Sequence, residues 1–240
     1  MSWKTTTAVF ISLMLAALLV GCADVPSTGP AAPDLKAEYR FINADVALAG
    51  GAVTVDGAGA GSLASAGSAT SHQSWDSGSR TVSFNGESIK VSMETDWRGS
   101  VVLLPQVTIG NETVRNFLKV NERRIFDSPV APKIQLENDD GSITELDASM
   151  FRFINASDVS VDVNLWLNDS TSVDFASDVE PEGFANYGSI EMASYKVYVT
   201  DHTTADTLAT FDTGAMSAKR YTAVVWGAAG AVAGKTLADD

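Results

Sequence analysis

Few side chains in this sequence are spaced for chemistry, and each candidate set fails a requirement of the reaction it suggests. The two histidines, His72 and His202, lie far apart with no ligand partner at short spacing, so no metal site is expected from them. Asp139-Asp140-Gly141 hints at a calcium loop. With Gly141 in the sixth position, however, the first ligand would be Leu136 and the twelfth Asp147, so Asn138-Asp139-Asp140-Gly141 reads as a turn. His72, Asp76 and the nearby serines can be drawn as a triad, but their stretch is low in complexity and offers no rigid frame. The chain has no Gly-x-Ser-x-Gly elbow and no Ser-x-x-Lys. Gly57-Ala58-Gly59-Ala60-Gly61 follows a strand pattern, yet no helix pattern follows to supply the amides that hold phosphate. Asp174, Asp178, Glu180 and Glu182 cluster in what reads as one loop, whereas glycoside hydrolysis needs two carboxylates opposed across a cleft. They are read as a solvated rim, with a sugar or cation contact as the alternative. No catalytic residue, metal ligand or cofactor is assigned, and no ligand-binding residue is named.

One reactive group remains, the thiol of Cys22, the only cysteine in the chain. It follows Lys4 and the apolar run Ala8–Val20, which is shorter than the roughly 20 residues a membrane-spanning helix needs. Leu19-Val20-Gly21-Cys22 resembles the lipobox of bacterial lipoproteins. That resemblance implies a signal peptide over residues 1–21, cleavage before Cys22, and acylation of its thiol and new amino group. It makes the membrane a partner through lipidated Cys22. Ala23, rather than aspartate, follows the cysteine, which implies the outer membrane. Residues 22–34 hold the lipidated cysteine and a Pro-, Gly- and Ala-rich tether. With that thiol acylated no disulfide can form, so the fold must stand on burial and hydrogen bonding, which two domains of about 100 residues can supply.

The formal charge of −14 disfavours nucleic acid and electrostatic attachment to anionic lipid, both of which need a basic face. From Tyr39 the pattern is β throughout. Val161, Val163 and Leu165 alternate with Asp162, Asn164 and Trp166, and Tyr195, Val197 and Val199 with Lys196 and Tyr198. Tyr221–Trp226 is read as a further strand. Asn168-Asp169-Ser170, Glu180-Pro181-Glu182-Gly183 and Asp212-Thr213-Gly214 are read as turns, and Asn85-Gly86 as a hairpin. Val101–Leu104, Val107–Ile109 and Val114–Val120 supply further strands in the first half. The Gly/Ala/Ser-rich stretch Gly57–Ser71 is an edge strand or a mobile loop. Trp166 and Trp226 face away from their apolar neighbours, and each either joins an interface or packs under the adjoining domain.

These elements are organised by a duplication. Arg40-Phe41-Ile42-Asn43-Ala44 returns as Arg152-Phe153-Ile154-Asn155-Ala156, and the same offset carries Trp75 onto Tyr187. The expected fold is all-β, two tandem β-sandwich domains over residues 35–126 and 150–240, with 127–149 as linker and hairpin that closes the first or bridges the two. The Arg-Phe-Ile-Asn-Ala strand, the strand Val159–Val163, Tyr187-Gly188-Ser189 and the closing Tyr221–Gly227 resemble the bacterial domain-of-unknown-function family 4397. The first repeat matches at its opening and around Trp75 and departs in the Gly/Ala/Ser stretch. The resemblance implies immunoglobulin-like modules of exported proteins, and no catalytic residues. The expected function is a non-enzymatic binding, adhesion or scaffold module of the cell envelope, partnered by an envelope protein or polysaccharide. A carbohydrate-binding module is the alternative and should show a planar strip of exposed aromatics on one sheet. A hydrolase, the third reading, should show a cleft with convergent polar groups and perturbed titrations.

Overall fold

The computed structural model describes residues 35–125, 133–167 and 171–239. The leader, Cys22 and its tether, and the Asn168-Asp169-Ser170 turn lie outside them. The described chain is all β. The first repeat forms β1 (Lys36–Asn43), β2 (Gly51–Val55), β3 (Ala58–Leu63), β4 (Gln73–Asp76), β5 (Gly78–Phe84), β6 (Glu87–Met93), β7 (Trp97–Ile109) and β8 (Glu112–Arg124). After β9 (Lys133–Glu137), the second forms β10 (Ile143–Ser157), β11 (Val161–Leu167), β12 (Thr171–Val179) and β13 (Gly183–Glu191). It closes with β14 (Ser194–Asp201), β15 (Thr207–Ala215), β16 (Arg220–Gly227) and β17 (Ala233–Ala238).

The two repeats share one topology. Sheets β4-β1-β7-β8 and β3-β2-β5-β6 make the first sandwich, and β13-β10-β16-β17 and β12-β11-β14-β15 the second. In both, the first strand pairs antiparallel with the fourth and parallel with the seventh. Phe41 and Phe153 are fully buried in equivalent cores, opposite Val101 and Ala223. Each core is filled by the alternating apolar residues that the period-two pattern marks out, Val53, Val55, Val82 and Val91 in one and Val161, Val163, Leu165, Val197 and Val199 in the other. Burying one such side chain contributes about 1.5–3 kcal/mol.

Turn chemistry accounts for the connections. Asn85 and Gly86 both have positive φ, 48° and 83°, the backbone that a tight hairpin between β5 and β6 needs. The Asn138–Gly141 turn joins β9 to β10, with Asp140 accepting from the Ser142 amide at 2.9 Å. β10 then runs unbroken into the second sandwich, so the hairpin arm and the repeat's opening strand are one element. Two expectations need correction. Asp212-Thr213-Gly214 is not a turn but lies within β15, where Gly214 has φ 70° and the pairing with β14 shifts register. Val101–Leu104 and Val107–Ile109 are one strand, β7, whose register with β8 slips between Leu103 and Gln106, around Pro105, which has no amide to donate.

Candidate functional site

β1 and β10 from Ala148 onward are buried on both faces. Phe41 and Phe153 point into their own sandwiches, while Ile42, Ala44, Ile154 and Ala156 on the next positions meet in a third cluster between the two. Corresponding positions of the two repeats supply that cluster: Ile42 and Ile154, Ala44 and Ala156, Val102 and Val224, with Leu104 of the first repeat and Trp226 of the second. The sheets β4-β1-β7-β8 and β13-β10-β16-β17 therefore join back to back, and Leu35–Asp240 form one compact unit. Trp226 packs onto Gly67, whose φ is 77°; a Cβ there would lie 2.3 Å from the indole. Of the two tryptophans weighed from the sequence, this one packs under the neighbouring domain.

Arg40 and Arg152 lie on this joined face and are almost wholly buried. Each guanidinium Nε donates to the hydroxyl opposite it on the parallel strand, Arg40 to Ser100 Oγ at 2.9 Å and Arg152 to Thr222 Oγ1 at 2.7 Å. Those hydroxyls donate in turn to a carboxylate of their own sandwich, Ser100 to Glu122 Oε1 at 2.6 Å and Thr222 to Asp239 Oδ2 at 2.7 Å. The ion pairs cross over: Arg40 binds Asp239, and Arg152 binds Glu122 at 2.9 Å. Each arginine thus neutralises the carboxylate of the other repeat.

A third pair completes the cluster. Tyr187 donates to Asp239, and its ring lies under the Arg152 guanidinium, 4.9 Å from the centroid. The corresponding place in the first repeat is held by His72, whose Nε2 is 3.0 Å from Glu122 Oε2. The expected equivalence of Trp75 and Tyr187 is corrected here. Trp75 sits opposite Ala37 and packs on the first core, whereas Asn186 and Tyr187 together oppose Arg152 at a bulge that shifts the strand. His72 and Asp76, drawn together as a triad in the sequence, are separated: Asp76 is exposed and paired with Lys36.

Electrostatics follow from burial and pairing. Burial pushes the Glu122 carboxyl up, but the His72 contact and the arginines Arg40 and Arg152 outweigh it and hold the group well below the usual carboxylate range. Burial pushes the Tyr187 phenol far up. The His72 imidazole is driven down chiefly by burial, with Arg40 and Arg98 adding to the shift against the pull of Glu122. Arg98 Nη2 is 3.0 Å from Nδ1, and a guanidinium can only donate, so Nδ1 accepts and Nε2 carries the proton toward Glu122. Neutral His72 fits this site. The unfolded chain protonates histidine near pH 6.5, the folded protein only lower, so stability falls as pH drops below about 6.5. The slope is at most about 1.4 kcal/mol per pH unit. Denaturant unfolding between about pH 5 and 7 checks this: His72→Asn should flatten the slope, and an unchanged slope would refute it. His202, raised by its bond to Asp162, has the opposite sign but is exposed and screened.

The second site is on the outside. In β11 and β14 the residues facing away from the core form a grid fixed by register: Ser172, Trp166 and Lys196 in one row, Asp174, Asn164 and Tyr198 in the next. The Trp166 and Tyr198 rings stand diagonally across it, centroids 5.8 Å apart and planes at 60°. With Thr200 they line a groove of about 630 Å³. The corresponding face of the first sandwich offers Thr54, Thr81, Ser83 and Ser88, with no ring.

The acidic set Asp174–Glu182 is not one loop. Asp174 and Asp178 belong to edge strand β12, because Val173, Asp174 and Ala176 pair with β11. Glu182 turns to the other side of the molecule, accepting from Asn116 of the first repeat at 2.7 Å. It borders a seam between the repeats of about 560 Å³, walled by Val46, Leu104, Pro105, Val107, Ala156 and Pro181. Gly57–Ser71 includes edge strand β3, and the stretch is built into the fold: Ala60 and Leu63 enter the first core and Thr70 Oγ1 accepts from the Phe41 amide. No group of three or more His, Cys, Asp or Glu side chains among the described residues is placed to hold a metal ion. No protein-family model matches the chain, and no curated protein matches it.

Proposed function

We propose that the chain is a non-enzymatic binding module of the bacterial cell envelope, held at the outer membrane through acylated Cys22 and presenting the outer sheet of its second sandwich. The observation that carries this reading is the aromatic and polar grid on β11 and β14. The repeats share the residues that build the joined face, yet only the second places rings on the outward face, where core packing has no use for them. Trp166 and Tyr198 are half-buried, and partly exposed aromatics amid polar groups are the usual material of a recognition surface. The buried ionic groups are consumed between the sandwiches, with Arg40, Arg152, Glu122 and Asp239 each at most 3 % exposed, and so present no face to a substrate. The Leu19–Cys22 lipobox and the resemblance of both repeats to exported modules of family 4397 support the address.

The test separates the two attachments. Cys22→Ser is expected to release the protein from the membrane fraction or leave it unprocessed. In that released form, the Trp166→Ser/Tyr198→Ser pair should abolish residual association with washed envelopes while the thermal transition stays within a few degrees. Recovery in the membrane fraction, at mature size, of the chain carrying Cys22→Ser together with the double variant refutes the anchor if the double variant has lost binding of the soluble form to washed envelopes. Retention of that binding by the double variant refutes the binding face.

A further inference from the structure

Resting on that reading of the β11/β14 face, we infer that its ligand is an uncharged saccharide chain, gripped over one or two sugar units. The groove combines the two kinds of group that sugars use. A pyranose presents a face of C–H bonds that lies against an aromatic ring and an equator of hydroxyls that needs paired donors and acceptors. Trp166 supplies the ring. Asn164 stands between Asp174 and Tyr198 in adjoining register, and Ser172 and Lys196 flank Trp166 on either side. The Ser172 hydroxyl and Lys196 ammonium thus flank the indole one strand spacing away, about 4.8 Å. The Asn164 amide follows two residues along the strand, about 6.8 Å, with the Asp174 carboxylate beside it, distances on the scale of one or two sugar rings.

The tilt decides the form of the ligand. Two rings 60° apart cannot lie together on a flat crystalline face. One makes a floor and the other a wall, which suits a single soluble chain. Charge decides its composition. The protein carries −14 overall, the groove holds Asp174, and Lys196 stands opposite Asp212 on β15. A polyuronate or a phosphorylated polymer would meet repulsion, whereas an uncharged glycan loses nothing to it. The bare Thr and Ser face of the first sandwich offers no such ring, so one site per chain is implied.

Affinity electrophoresis and calorimetry of the detergent-solubilised full chain test this with soluble dextran, mixed-linkage β-glucan, mannan, galactan and xylan, and with alginate as the polyanion. Retention by at least one neutral glycan is expected, with one site per chain. Trp166→Ala should weaken it at least tenfold at an unchanged melting temperature, Tyr198→Phe should keep the wall and most of the affinity, and Tyr198→Ala should lose it. Binding to alginate alone, or neutral-glycan binding that Trp166→Ala leaves untouched, overturns the inference. So does failure to bind any neutral glycan. If envelope association is still lost in the Trp166→Ser/Tyr198→Ser pair, that failure leaves the binding face standing with a non-saccharide ligand. If it is not, the module reading falls as well.

Discussion

Arg152→Met is expected to destabilise the folded chain by about 3–5 kcal/mol, the cost of breaking a buried ion pair by removing one partner. The loss is large because Arg152 serves both repeats. Its Nε satisfies Thr222, its Nη2 neutralises Glu122 of the other sandwich, and its plane covers Tyr187. Glu122 would be left with the Ser100 hydroxyl, Arg40 at 3.6 Å, Arg98 at 3.8 Å and a neutral His72. Replacing Arg152 and Glu122 together by apolar residues should recover part of the loss, since a well-packed apolar pair often matches a buried ionic one. The ionic cluster is therefore not the main source of stability. Its effect is on geometry: each carboxylate makes its shortest ion pair with the arginine of the other repeat, which must arrive in register, so the cluster favours one way of joining two nearly identical sheets. Urea unfolding of the full chain measures the difference.

Gly67→Leu carries the second large effect, about 2–5 kcal/mol. A left-handed backbone costs a residue with a Cβ about 1–2 kcal/mol, and forcing Trp226 aside adds an overpacking cost of about 1–3 kcal/mol. The contact is tight because the wedge of Trp226 sits directly over the glycine, with further indole atoms at 2.9 and 3.0 Å from an added Cβ. Gly57→Ala is the control. Its φ is 84°, but an added Cβ would meet nothing within 4 Å, so only the backbone cost of about 1 kcal/mol should appear. Thermal unfolding of the two variants, followed by tryptophan fluorescence, distinguishes them: equal losses would mean that Trp226 does not depend on this contact. Since Ala60, Leu63, Gly67 and Thr70 all serve packing, Gly57–Ser71 cannot be removed without loss of stability.

The all-β class, the two repeats and the cores were legible in the sequence because period two survives wherever one face of a strand is buried and the other wet. The joined face was harder to read. Arg40 and Arg152 look like outward charges in an alternating strand, and the available signal was that Ile42 and Ala44, on the same face, are apolar. An arginine sharing its face with isoleucine and alanine in both copies marks a second buried surface. Glu122 and Asp239 carried no such mark, for the arginines that pair with them most closely lie in the other repeat and are brought close only by tertiary structure. The Tyr187 bulge defeated the sequence offset because an inserted residue changes which side chain faces Arg152 without changing the strand pattern. On the outer face, the alternation placed Trp166 opposite the core, but its neighbour Tyr198 became visible only when register fixed the diagonal. The split of Asp174 from Glu182 depends likewise on β12 pairing with β11, a choice the local sequence does not make.

The joining of the repeats by exchanged ion pairs is tested most directly by a double-mutant cycle between Arg152 and Glu122. Denaturant unfolding of the full chain, Arg152→Met, Glu122→Met and the double variant supplies it. A coupling of about 2–3 kcal/mol is predicted, near the top of the range for groups in contact. Additive losses, within about 0.5 kcal/mol, would contradict it and mean that the two sandwiches meet without this lock.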